Sequence, residues 1–62
     1  MNICYAEKKE LKNGKDLELI CKLVPSCEVG DRVEMDNQEY KVYSKIEVNG
    51  IWHVVLEWIR GE

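Results

Sequence analysis

Sixty-two residues, 45% of them apolar, suffice for one small domain and leave no room for a second core. Leu, Ile and Val number 17, about 27% of the chain, which excludes the composition of a disordered polypeptide. Twelve acids against nine bases give a net charge of -3, which argues against a phosphate-tracking nucleic-acid binder, and no apolar run reaches the ~18 residues of a membrane span.

Turn chemistry organises the chain. Two Asn-Gly pairs, Asn13-Gly14 and Asn49-Gly50, are strong hairpin signals, and no amphipathic helical stripe continues past Gly14. The pattern predicts strands over roughly residues 2–11, 15–24, 31–35, 39–48 and 51–59, joined as an antiparallel meander. In the first hairpin, a three-residue loop Lys12-Asn13-Gly14 sets Ile3, Tyr5 and Leu11 on the face of Leu17, Leu19, Cys21 and Leu23. That register pairs Lys8 with Glu18 and Glu10 with Asp16 on the outer face, and leaves Glu7 and Lys9 on the apolar one. Pro25 cannot donate to a ladder and ends the second strand, so the connection Pro25-Ser26-Cys27-Glu28-Val29-Gly30 breaks the hairpin rhythm. Asp36-Asn37 fits a two-residue turn, since both residues tolerate positive φ.

Register in the last hairpin follows from its apolar alternation. A two-residue loop mixes both faces. A three-residue loop Val48-Asn49-Gly50, with Gly50 as a left-handed bulge, pairs Ile46 with Trp52, Ser44 with Val54, Val42 with Leu56 and Tyr40 with Trp58. The other face then carries Lys41–Glu57 and Tyr43–Val55. With no long helix to cover it, an apolar face that includes Leu23, Val42, Ile46, Trp52, Val54, Leu56 and Trp58 predicts a sheet curled on itself.

Val24-Pro25, then Val29-Gly30-Asp31-Arg32-Val33, then Tyr40-Lys41-Val42 resemble the opening strands of small SH3-like barrels, over roughly residues 24–59. Such barrels are frequent among short phage and prophage proteins. The resemblance implies an all-β fold, a five-stranded meander curled into a small SH3-like barrel, with an open meander as the alternative. No functional residue carries over. The exposed aromatic cluster of peptide-binding SH3 domains is missing, so no proline-rich ligand is expected.

Catalytic chemistry finds little footing. The glycines stand isolated at 14, 30, 50 and 61, so there is no phosphate-binding loop. His53 is the sole histidine and is expected on the outer face opposite Lys45, without an orienting partner. Ser26 and Ser44 are the only serines, and Ser44 is expected inward. Cys4, Cys21 and Cys27 lack metal-ligand spacing and read as reduced thiols of a cytoplasmic protein, with Cys21 a small buried hydrophobe. No enzyme, cofactor or metal is expected.

Two surfaces stand out as candidates. Tyr43, Val55, Ile59 and Ile20 are expected to point outward as an apolar binding surface, for a protein partner or for a two-fold homodimer. Glu28, Asp31, Glu34, Asp36 and Glu39 form an acidic stretch suited to a basic partner. The leading expectation is a small acidic protein–protein interaction module, phage- or mobile-element-like, that binds a larger protein. The alternatives are a nucleic-acid-associated barrel using the Lys8, Lys9, Lys12 and Lys15 hairpin tip, or a structural subunit of an assembly.

Overall fold

The chain forms five strands, β1 (Glu7–Glu10), β2 (Leu17–Cys21), β3 (Arg32–Met35), β4 (Gln38–Val48) and β5 (Ile51–Gly61), with burial alternating most regularly along β2. The computed structural model describes residues 3–61; the expected start of the first strand at residue 2 lies outside them. All pairings are antiparallel and belong to one sheet.

The neighbours differ from a meander. The order is β1-β2-β5-β4-β3, so β2 pairs with β5 and residues 22–31 carry the chain to the far edge. Three hairpin-linked strands with a fourth brought beside them by a long connection make a Greek key. The physical cause is burial. Leu17, Leu19 and Cys21 stand opposite Leu56, Val54 and Trp52, so pairing β2 with β5 joins two strongly apolar strands at the sheet centre. A short turn dictates which strand is its neighbour; the connection through Pro25 does not.

The sheet curls without closing. β1 and β3 remain edge strands, paired on one side only. A side chain spans the gap: Lys8 Nζ lies 2.7 Å from Asp36 Oδ2 in the β3–β4 turn. The radius of gyration, 10.7 Å, matches the roughly 10.6 Å of a folded globule of this length, so the opening costs little compactness. Inside lie Leu19, Cys21, Cys27, Val33, Val42, Val54 and Leu56, with Trp52 and Trp58 half-buried against them. Pro25 and Cys27 are buried, so the 22–31 connection folds back as a cap on the core. Leu23 and Ile46, expected inside, are 78% and 56% exposed.

The first hairpin departs from the expected register by one residue throughout, and the last does so between its tip and Tyr43. The first closes with a four-residue loop, because Leu11 N–H donates to Asp16 and Gly14 N–H donates to Leu11. Lys8 therefore stands opposite Leu19, and Lys9 opposite Glu18. Lys8 is thereby turned toward the mouth of the sheet, where it meets Asp36.

The last hairpin closes with two residues, Asn49 and Gly50, both at positive φ (53° and 80°), the geometry of a type I′ turn. Near the tip Val48 faces Ile51, Glu47 faces Trp52, Ile46 faces His53 and Lys45 faces Val54. A bulge between Val42 and Ser44 then absorbs Tyr43, and beyond it Val42–Leu56, Lys41–Glu57 and Tyr40–Trp58 pair as expected. The extra residue sits at Tyr43, not in the turn. One residue inserted into a strand inverts its alternation. Lys45 accordingly faces inward and Ile46 outward. Lys45 keeps its stem along the Trp52 ring, 5.4 Å from ammonium to centroid, while the ammonium emerges to Glu28 at 3.3 Å. The Asp36-Asn37 turn has two residues as expected, at φ 53° and 63°.

A β-carbon at Gly50 would meet nothing within 4 Å, so substitution there is purely a backbone matter. Gly50→Ala is expected to lower unfolding free energy by about 1 kcal/mol, read from the denaturant midpoint at unchanged slope. No loss of stability would contradict the left-handed turn.

Candidate functional site

The outward apolar residues come from strands that the fold makes neighbours. Ile20 stands opposite His53, and Val55 opposite both Glu18 and Ser44, so Ile20 and Val55 are diagonal neighbours across β2–β5. Ile46 faces His53 from the other side, and Val48 faces Ile51. The result is a band across β2, β5 and β4: Ile20, Val55 and Ile51 half-buried, Ile46 and Val48 exposed. His53 sits within it, Nδ1 3.5 Å from Glu18 Oε2. Its charged neighbour is therefore a carboxylate, where Lys45 had been expected.

Tyr43 is 68% exposed, the consequence of its bulge. It does not face Val55, as expected; Ser44 takes that place. Tyr43 instead borders a shallow groove of about 350 Å³ with Val29, Gly30, Lys41, Val42 and Glu57. Ile59 is the residue passed over at the second ladder irregularity, between Tyr40–Trp58 and Glu39–Arg60, and it is half-buried. Of the expected apolar surface, the structure makes Ile20 and Val55 diagonal neighbours and places Tyr43 next to Val55's partner Ser44.

The acidic stretch is largely neutralised from within. Glu28 pairs with Lys45, and Asp36 with Lys8. Glu39 is clamped by Arg32 at 2.8 Å and Arg60 at 2.7 Å, and Asp31 accepts the Glu28 N–H at 2.9 Å. Among the described residues only Glu34 of the five makes no such contact. Hydrogen bonds from Arg32, then Arg60, hold the Glu39 carboxyl below the usual glutamate value. Two of the four lysines of the first hairpin are also engaged: Lys8 with Asp36, and Lys15 against an indole ring.

That indole belongs to Trp58 and forms a second candidate region, at one end of the molecule. A cleft of about 400 Å³ is lined by Gly14, Lys15, Gln38, Tyr40, Trp58 and Gly61. Trp58 is held on several sides. Its Nε1–H donates to Gln38 Oε1 at 2.6 Å, its backbone N–H donates to Asp16 Oδ1 at 2.9 Å, and the Lys15 ammonium lies 4.5 Å from its ring centroid. Sequence reading missed this cleft because it treated Trp58 only as core. Its one legible signal was Lys15-Asp16 directly after the Asn13-Gly14 turn.

All three cysteines are free, Cys4 exposed and the other two buried; burial pushes the Cys21 and Cys27 thiols up, away from thiolate reactivity. Among the described residues no group of three or more His, Cys, Asp or Glu side chains is placed to hold a metal ion. Comparison with known protein families, curated proteins and solved structures finds no match.

Two measurements test this geometry. A β-carbon at Gly61 would overlap the Gln38 amide and approach its Cα to 2.9 Å. Gly61→Ala is therefore expected to break the Gln38–Trp58 hydrogen bond, shifting the Trp58 indole N–H resonance and costing about 0.5–1.5 kcal/mol or more. An unmoved resonance would contradict the contact. Glu39 has its folded pKa depressed, so its contribution to stability is present above the ordinary glutamate value of ~4.3 and disappears as pH falls through the folded value. Glu39→Gln should destabilise the protein at pH 7, and the gap from the parent should close on acidification. A gap independent of pH would locate the effect in packing.

Proposed function

We propose that the chain is a small protein–protein interaction module that docks a larger protein on the outer face of β2, β5 and β4. One observation carries this reading: the β2–β5 pairing merges outward apolar residues from separate parts of the sequence into one band, Ile20, Val55, Ile51, Ile46 and Val48. A scatter of single exposed apolar residues needs no explanation, whereas a contiguous band does. Tyr43 adds an exposed aromatic beside it, a residue type enriched at interface centres. Internal pairing of the acidic residues favours apolar docking over long-range attraction of a basic partner. In this reading the fold is an opened form of the small SH3-like barrels, supported by the curl that brings Lys8 of β1 to the β3–β4 turn. Free thiols accord with a cytoplasmic setting.

The nucleic-acid alternative is weaker, since Lys8 and Lys15 already have partners within the chain. Affinity capture from the source cell, run in parallel with the parent and with Val55→Glu, tests the proposal. One or more proteins should be retained by the parent and lost with Val55→Glu while the variant stays folded. Retention unaffected by Val55→Glu would remove the outer face from the interaction. Sedimentation at micromolar concentration separates the homodimer: a dimer mass that Val55→Glu halves would assign the face to a second copy.

A further inference from the structure

The Trp58 cleft lies on the inward side of β5, apart from the outer band, and its occupant is already represented within the chain. We infer that this cleft is a receptor for the guanidinium of an arginine side chain on a peptide partner, and that Lys15 is an internal cation standing in its place.

The indole is prepared for a cation before any ligand arrives. Gln38 holds the ring edge through Nε1, Asp16 holds the backbone at Trp58, and Gly61 lets the Gln38 amide lie close against β5. Ring orientation is thus set by contacts that leave a face open to the ammonium of Lys15. Cations bind tryptophan faces because the ring quadrupole is negative there. A planar guanidinium stacks on such a face and is less strongly hydrated than an ammonium, which favours arginine over lysine.

Lys15 is a weakly held occupant. Its residue is exposed, and among the described residues it makes no ion pair. Its backbone is anchored, because Asn13 Oδ1 accepts the N–H groups of both Lys15 and Asp16 at 2.9 Å. Only the side chain has to swing aside, and the hairpin need not move. The surrounding charge suits a cation. Lys8 and Glu10 share one side of β1, opposite Leu19 and Leu17, Lys8 reaches Asp36, and Asp16 reaches Trp58. Asp36 is taken by Lys8 and Asp16 by the Trp58 backbone, whereas Glu10 makes no ion pair among the described residues. One uncommitted carboxylate therefore remains on the side of β1 that Lys8 shares. A cleft of about 400 Å³ is ample for a single side chain.

The experiment is a titration of the full chain with acetyl-Gly-Arg-Gly-amide, followed by the Trp58 indole N–H resonance. Trp52→Phe distinguishes the two indole signals. A control peptide carries citrulline, which keeps the planar shape and loses the charge. The arginine peptide should shift the Trp58 signal saturably, and the citrulline peptide should leave it in place. Lys15→Gln should tighten arginine binding about three- to sixfold, the gain expected when a cation–π competitor of exposed-site strength is removed. An equal response to citrulline overturns the inference, as does an affinity unchanged by Lys15→Gln. So does the absence of a saturable shift in Lys15→Gln at ~50 mM peptide, far above a millimolar affinity. The outer band is tested with Val55→Glu, which leaves this cleft intact, so either idea can fail without the other.

Discussion

A single sheet with no second layer has to bury its apolar face against itself, and the rest of the structure follows from that requirement. Among the described residues no helix covers the sheet, so curvature brings Val33 and Val42 on one flank toward Leu19 and Cys21 on the other. The most apolar pairing, β2 with β5, occupies the centre, and both charged edges lie outside. What the sheet cannot enclose, the 22–31 connection does. Pro25 and Cys27 are driven inward, and Gly30 and Asp31 hydrogen-bond to the Val42 backbone. Where curling stops short of closure, Lys8 and Asp36 meet across the gap.

Strand β5 links the two candidate surfaces. Its outward residues Ile51 and Val55 belong to the apolar band, while Val54 and Leu56 are fully buried and Trp52 and Trp58 pack half-buried on the core. Asp16 ties the end of the first hairpin to β5 at Trp58, and Gln38 ties the start of β4 to the same residue. Three segments distant in sequence therefore converge on one indole. Half-burial suits that role: the ring contributes to packing on one side and remains accessible on another.

Much of the fold was legible, and the failures share one cause. The all-β class, the five strands, the Asp36-Asn37 turn and the pairings Val42–Leu56 and Tyr40–Trp58 follow from local turn chemistry and period-two alternation. Strand order did not follow, because the 22–31 connection lacks the turn signal that names a neighbour. An extra residue in the β4–β5 hairpin was detectable from the mixed faces of a regular two-residue register. Its position was not, since a bulge at Tyr43 and a bulge at Gly50 give the same pairs from Val42–Leu56 onward and differ only between Tyr43 and the turn. The choice between them decides Lys45 and Ile46, two residues whose chemistry predicts the opposite of what the structure does with them. Lysine goes inward because its stem covers Trp52 and its head still reaches Glu28. The apolar band was half legible: Ile20 and Val55 were identified as outward, but their adjacency depended on the strand order.

Strand β1 presents four charged residues, Glu7–Glu10, every one of them exposed, and its second edge has no neighbour. An additional strand laid there would have to desolvate that row of four charged side chains to gain a short ladder of backbone hydrogen bonds. The opposite edge, β3, offers only four residues and carries Arg32 and Glu34. An open sheet normally invites growth by strand addition, and here both growing ends are guarded. Charge on both rims therefore opposes growth of the open sheet by strand addition, and leaves its faces as the less guarded surfaces.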